Sequence, residues 1–154
     1  LALLYEQELR ANHDLSTRIA HFSAKLADQT SKENEAAKAS CSTKAAQVFQ
    51  SLGYSDQDDG KSGRLPSYTN HYNPNLKRCL MMLEIDQTMT GAVSKQVFDA
   101  HERTPFGDYY WIPSKTKKYW EQAPIQCHMT PPGRDEAFCR STVEWDSYVN
   151  SLMS

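Results

Sequence analysis

The hydrophobic pattern changes its period once, near residue 67. Before Gly53 the chain holds neither proline nor glycine, so residues 1–52 are predicted to be helical throughout, with at most one break. Leu15, Ile19, Phe22 and Leu26 are spaced four, three and four apart, an apolar stripe on one helix face. Leu1, Leu4 and Ala11 extend it less regularly, with Glu8 interrupting. A coiled coil wants about three or four sustained heptads, and this stripe is shorter. It either packs on the protein's own body or projects toward a partner or a second copy. Thr30-Ser31-Lys32-Glu33 has the form of a capping box, which predicts a second helix starting there. Lys32 to Ser40 is polar and alanine-rich, a solvated helix or hinge. Cys41, Ala45, Val48, Phe49 and Leu52 then form an amphipathic face that ends at Gly53.

From residue 67 the pattern is that of strands. Tyr68–Tyr72 alternates, and Asn73-Pro74-Asn75 has turn chemistry, since proline presets φ and asparagine tolerates the next position. Arg78–Ile85, RCLMMLEI, is nearly continuous in apolar residues and predicts a central, well-covered strand. Further strands are predicted at Lys95–Ala100, Asp108–Ile112, Ile125–Thr130 and Glu136–Arg140, the last two joined by a Pro131-Pro132-Gly133 turn. Ser141-Thr142-Val143-Glu144 is a capping box ahead of Trp145, Tyr148, Val149 and Leu152, an amphipathic final helix. The expected fold is α+β: a meander of five to six antiparallel strands, with the terminal helices covering one sheet face. Residues 1–40 are expected to be a helical extension, and 41–154 one α+β domain.

The four cysteines sharpen this picture. None is in a Cys-x-x-Cys arrangement, so a zinc ribbon or thioredoxin-type site is disfavoured. An even count suits two disulfides and an oxidising compartment, with free buried thiols as the alternative. Cys127 and Cys139 stand equally far from Gly133, so a hairpin centred there sets them opposite each other. That leaves Cys41, on a helix face, with Cys79, in the central strand. Such a link contributes about 3–4 kcal/mol on the chain-entropy model.

Cys41, Ala46 and Phe49, then Tyr68-Thr69-Asn70-His71-Tyr72-Asn73, then Leu76-Lys77-Arg78-Cys79 follow one another in order. Phe98-Asp99-Ala100, Tyr110, Pro124-Ile125-Gln126-Cys127, Cys139 and Trp145 come later. The series resembles a group of bacterial secreted or lipoprotein-type domains to which no activity is attached. The resemblance spans roughly residues 41–153. It implies an extracytoplasmic location (periplasmic, secreted or envelope-anchored) and a fold more than a function. Residues 1–40 lie outside it.

Composition narrows the classes of function. The chain has 154 residues and a formal net charge of -2, which disfavours nucleic acid as a partner. No stretch approaches the roughly 20 apolar residues that span a membrane. The chain starts at Leu1 rather than Met, which is compatible with a signal segment or membrane anchor upstream. Asp56, Asp58, Asp59 and Gly60 look faintly like a calcium loop. With Gly60 in the sixth position, however, Ser55 and Gln57 stand where acids belong, and Pro66 replaces the final Glu. There is no Gly-x-Ser-x-Gly elbow and no phosphate-binding glycine loop. The five histidines include no His-x-x-x-His pair. His71, His101 and His128 fall on or beside different predicted strands, with Tyr72 next to His71 and Asp99 near His101. These five form the candidate site, and the three histidines are the candidate metal ligands or acid–base groups. For His71 the plainer reading is a hydrogen-bonded hairpin residue, since alternation puts Tyr68 and Tyr72 on the other face. Tyr109-Tyr110-Trp111 with Lys115, Lys117, Lys118, Tyr119 and Trp120 suits sugar or base stacking or a membrane surface. It equally suits core aromatics with solvated lysines.

The sequence thus predicts a non-catalytic binding, accessory or assembly subunit. It is expected to meet a protein partner or its own copy through the N-terminal helix, without a cofactor. The alternative is a small metal-dependent or hydrolase-like enzyme using His71, His101 or His128 with Asp99.

Overall fold

A computed structural model describes residues 2–55 and 60–154. Asp56, Asp58 and Asp59, whose likeness to a calcium loop fails on sequence, lie outside the described residues. The chain divides into two compact units, residues 1–36 and 37–154.

Residues 2–36 belong to helix α1, which runs Ala2–Ser51. The second helix start expected at Thr30 is not there. The Thr30 hydroxyl donates to the carbonyl of Leu26, 2.9 Å away, instead of capping a new helix. Glu33 accepts from Gln29 within the same helix and does not reach back to a cap. A capping box needs an extended residue at its head, and Thr30 has helical neighbours on both sides.

The second unit holds the last turns of α1, a six-stranded sheet and helix α2 (Thr142–Met153). The strands are β1 (Arg64–Asn73), β2 (Arg78–Gln87), β3 (Val93–Asp99), β4 (Pro105–Trp111), β5 (Gln126–Met129) and β6 (Ala137–Phe138). They pair antiparallel in chain order, a simple meander. Gly53 ends α1 in the left-handed region (φ +83), which glycine enters without a Cβ clash. Ser141 caps α2 by accepting from the amide of Glu144 at 3.2 Å, as its capping-box sequence predicts.

Directly opposed residues share a face, so the pairing register sorts the core. Leu80, Val97, Tyr109 and Cys127 point to one face, where they pack with Trp145, Val149 and Leu152 of α2. Cys79, Met81, Leu83 and Phe98 point to the other, where they pack with Cys41, Ala45, Val48 and Phe49 of α1. The two helices therefore cover opposite faces, not one face as the sequence suggested. The reason is visible in β2: Leu80 and Met82 point to one face and Cys79, Met81, Leu83 and Ile85 to the other, and neither apolar set can be left in water. Cys41 bonds to Cys79 and Cys127 to Cys139, each with a Cα–Cα distance of 5.2 Å.

At β4 the register shifts between Val97 and Phe98, a bulge, and Phe106 joins the α2-side core. Gly107 lies directly beneath α2. A Cβ there would stand 2.8 Å from the carbonyl oxygen of His128 and 3.0 Å from the Trp145 ring. Gly107→Ala is predicted to destabilise the protein by about 1–3 kcal/mol. An unchanged urea midpoint would contradict this packing.

Burial pushes the phenols of Tyr109 and Tyr148 up to about 12. Tyr109 shares a hydrogen bond with Thr142 at 2.9 Å, and Tyr148 donates to the carbonyl of Phe106. Each folded-state value lies above the unfolded one, so the stabilising contribution is complete below about pH 10 and is lost as pH rises toward 12. Alkaline melts should show stability falling across that window, and a Tyr109→Phe/Tyr148→Phe variant should lose less of it.

Candidate functional site

The structure disperses the sequence candidates. His71 is in β1, opposite Leu80, in the row that continues to Asp99 on the α2 face. Tyr72 alternates to the other face and packs with the α1-side core. His128 is in β5, in the row of Gln96 and Asp108, which belongs to the α1 face. His71 and His128 are thus on opposite faces and four strands apart, roughly 19 Å at normal strand spacing. His101 lies exposed in the turn after β3. Among the described residues no group of three or more His, Cys, Asp or Glu is placed to hold a metal.

Asp99 is occupied structurally. It is buried, and Oδ1 accepts from the amides of His101 at 2.7 Å and Glu102 at 3.0 Å, closing the turn between β3 and β4. Its other oxygen meets the Arg78 guanidinium at 3.3 Å, and Arg78 also pairs with Glu102. Those hydrogen bonds and charges hold the Arg78 pKa above its usual value. His71 is half-buried, but its Nε2 is enclosed without a hydrogen-bond partner, unlike the bonded hairpin histidine anticipated from sequence. The hairpin's bonds go to Asn73 instead. Asn73 Oδ1 accepts from the amides of Asn75 and Leu76 at 3.0 Å each, and its Nδ2 donates to the carbonyl of Leu152 in α2 at 2.9 Å. The Asn-Pro-Asn turn signal pointed to this residue, yet only the fold shows that it also ties β1 to α2.

The polar cluster that does exist was not anticipated. α1 covers the β1–β3 side of its sheet face, and the β4–β5 side stays open. There an open groove of about 440 Å³ is lined by Leu52, Gln96, Phe98, Arg103, Asp108 and Gln126. Asp108 Oδ1 stands 3.2 Å from His128 Nδ1, and Asp108 Oδ2 accepts from the Gln126 side chain. Glu136 is 4.0 Å from His128, and Phe138 meets the imidazole edge-on at 4.8 Å between ring centres. Arg103 closes the far side, donating to Ser51 at 3.1 Å with its guanidinium over Phe98. A carboxylate–imidazole pair can orient a base. Among the described residues no hydroxyl or thiol is hydrogen-bonded to His128. Finding this pair from sequence required the β4–β5 register, and alternation alone does not set it.

The aromatic and lysine-rich stretch divides in two. Tyr109 and Trp111 are core residues, as the plainer reading held, but Tyr119 and Trp120 are exposed. On this evidence the second unit is a disulfide-stapled α+β meander with a helix on each sheet face. Comparison with protein-family models, curated proteins and solved structures returns no match.

If Asp99 serves the turn and not chemistry, Asp99→Ala should lower stability by about 2–3 kcal/mol, since a charged acceptor of several hydrogen bonds is removed. Chemical denaturation reads this, and wild-type stability in the variant would contradict the structural role.

Proposed function

We propose that this protein is a non-catalytic, extracytoplasmic assembly subunit that pairs with a second copy of itself through its N-terminal helix. One observation carries the reading: Leu15, Ile19, Phe22 and Leu26 are between 56% and 66% exposed on one helix face. Burying such side chains against a partner is worth about 1.5–3 kcal/mol each, which no solvated helix recovers alone. Heptad lettering puts Leu15 and Phe22 at d and Ile19 and Leu26 at a, with Asn12 one heptad before Ile19. Leu at d with Ile at a favours two strands, and a polar a residue fixes register. Arg18, Lys25 and Lys32 fall at g, whereas the e positions carry Ser16, Ser23 and Thr30. An antiparallel pair would set these cations against one another, and a parallel pair sets them against neutral residues. The short stripe makes a weak pair, which suits an assembly stabilised by several contacts. The two disulfides suit an oxidising compartment, which supports the extracytoplasmic placement.

Light scattering across a concentration series should show a monomer–dimer equilibrium. Ile19→Asp/Phe22→Asp should weaken it at least about tenfold, because each change puts a charge in the seam. An Asn12→Cys variant should cross-link to its own copy under oxidation only if the helices are parallel. A wild-type mass that stays monomeric at the highest concentration would overturn the proposal.

A further inference from the structure

One end of the sheet presents apolar tips that the fold leaves uncovered. The β2–β3 turn carries Met89, 89% exposed, and the β4–β5 connection carries Trp120, 71% exposed, with Ile125 also exposed at its end. The two segments adjoin, since a Cβ on Gly91 would stand 3.1 Å from the Pro113 ring. The β4–β5 connection is tied down. Tyr119 packs edge-on against Trp111 with ring centres 5.0 Å apart, the Gln122 side chain donates to the carbonyl of Ile112, and the Ile125 amide donates to the carbonyl of Tyr110 at 2.8 Å. A short 3-10 helix, Tyr119–Glu121, is capped by Glu121 accepting from the Lys118 amide at 3.0 Å. Trp120 is therefore held out in water by an ordered loop. Lys115, Lys117 and Lys118 flank it, with Glu121 the one acid in that loop, on a chain whose formal net charge is -2. Lys118 lies over the Trp120 ring at 5.2 Å.

We infer that this end of the sheet docks on an anionic lipid bilayer, with Trp120 and Met89 entering the headgroup region and the three lysines meeting lipid phosphates. The tips project and do not line a cavity, so they fit a deformable planar surface. An indole with adjacent lysines is the side-chain set that settles at the bilayer interface. Attraction by anionic headgroups amounts to about fivefold in affinity per lysine. This docking is independent of helix pairing: it uses other residues and another unit.

The test uses the full chain with vesicles of brominated phosphatidylcholine, with and without phosphatidylglycerol. Trp111 and Trp145 are buried and residues 1–36 hold no tryptophan, so bromine quenching of an exposed indole reports Trp120 alone. Quenching should appear with phosphatidylglycerol, be absent without it, and fade as salt rises. A Lys115→Glu/Lys117→Glu/Lys118→Glu variant should bind at least about 100-fold more weakly. Met89→Ser/Trp120→Ser should bind about tenfold more weakly with its melting temperature unchanged, since both side chains are exposed. Any of three results overturns the inference: vesicle binding without quenching, equal binding to uncharged vesicles, or equal binding by the lysine-reversed variant. Polyglutamate binding as tight as vesicle binding, again without quenching, would point to an acidic polypeptide instead.

Discussion

The bond between Cys41 and Cys79 joins the last turns of α1 to β2 across a sequence separation of 38. That helical face brings only Ala45, Val48 and Phe49 as further buried apolar residues, little to hold a helix against a sheet. The cross-link removes about 4 kcal/mol of unfolded-chain freedom on the entropy model. With that helix end in place, residues 79–83 of β2 are covered on both sides and can all be apolar. Met81 and Leu83 then meet α1 while Leu80 and Met82 meet the α2 side. The second bond, with a separation of 12, closes the β5–β6 hairpin, whose last strand has only two residues.

Much of this was legible because it rests on local periodicity. Each predicted strand exists, with ends moved by a few residues. The Cys127–Cys139 pair followed from turn symmetry, and the final helix from its cap. What was not legible depends on relations between elements. A continuous apolar strand signals two covered faces, but no local pattern says which helix takes which face. Thr30 shows the limit from the other side: its residues spell a cap, yet with helix on both sides its hydroxyl bonds back to Leu26. The three histidines share a residue type but no face. Register then separated them, leaving Asp108 beside His128 and His71 on the opposite face.

The polar residues divide by what they do. Asn73 and Asp99 are buried, and the Oδ1 of each accepts from turn amides, so their chemistry holds the meander in shape. Asp108 bonds to Gln126, which lines the open groove with it, and to His128. The large apolar side chains that the fold does not cover fall mainly on the N-terminal helix and at the turn end of the sheet.

All of this depends on the cysteine pairing, because the helix–sheet link decides which face of β2 is covered by α1. Mass spectrometry of a non-reduced proteolytic digest reads that pairing directly. The account predicts two linked peptides, one joining Cys41 to Cys79 and one joining Cys127 to Cys139, with no free thiol. Crossed pairs, or an unmodified Cys41 alkylated without reductant, would contradict it.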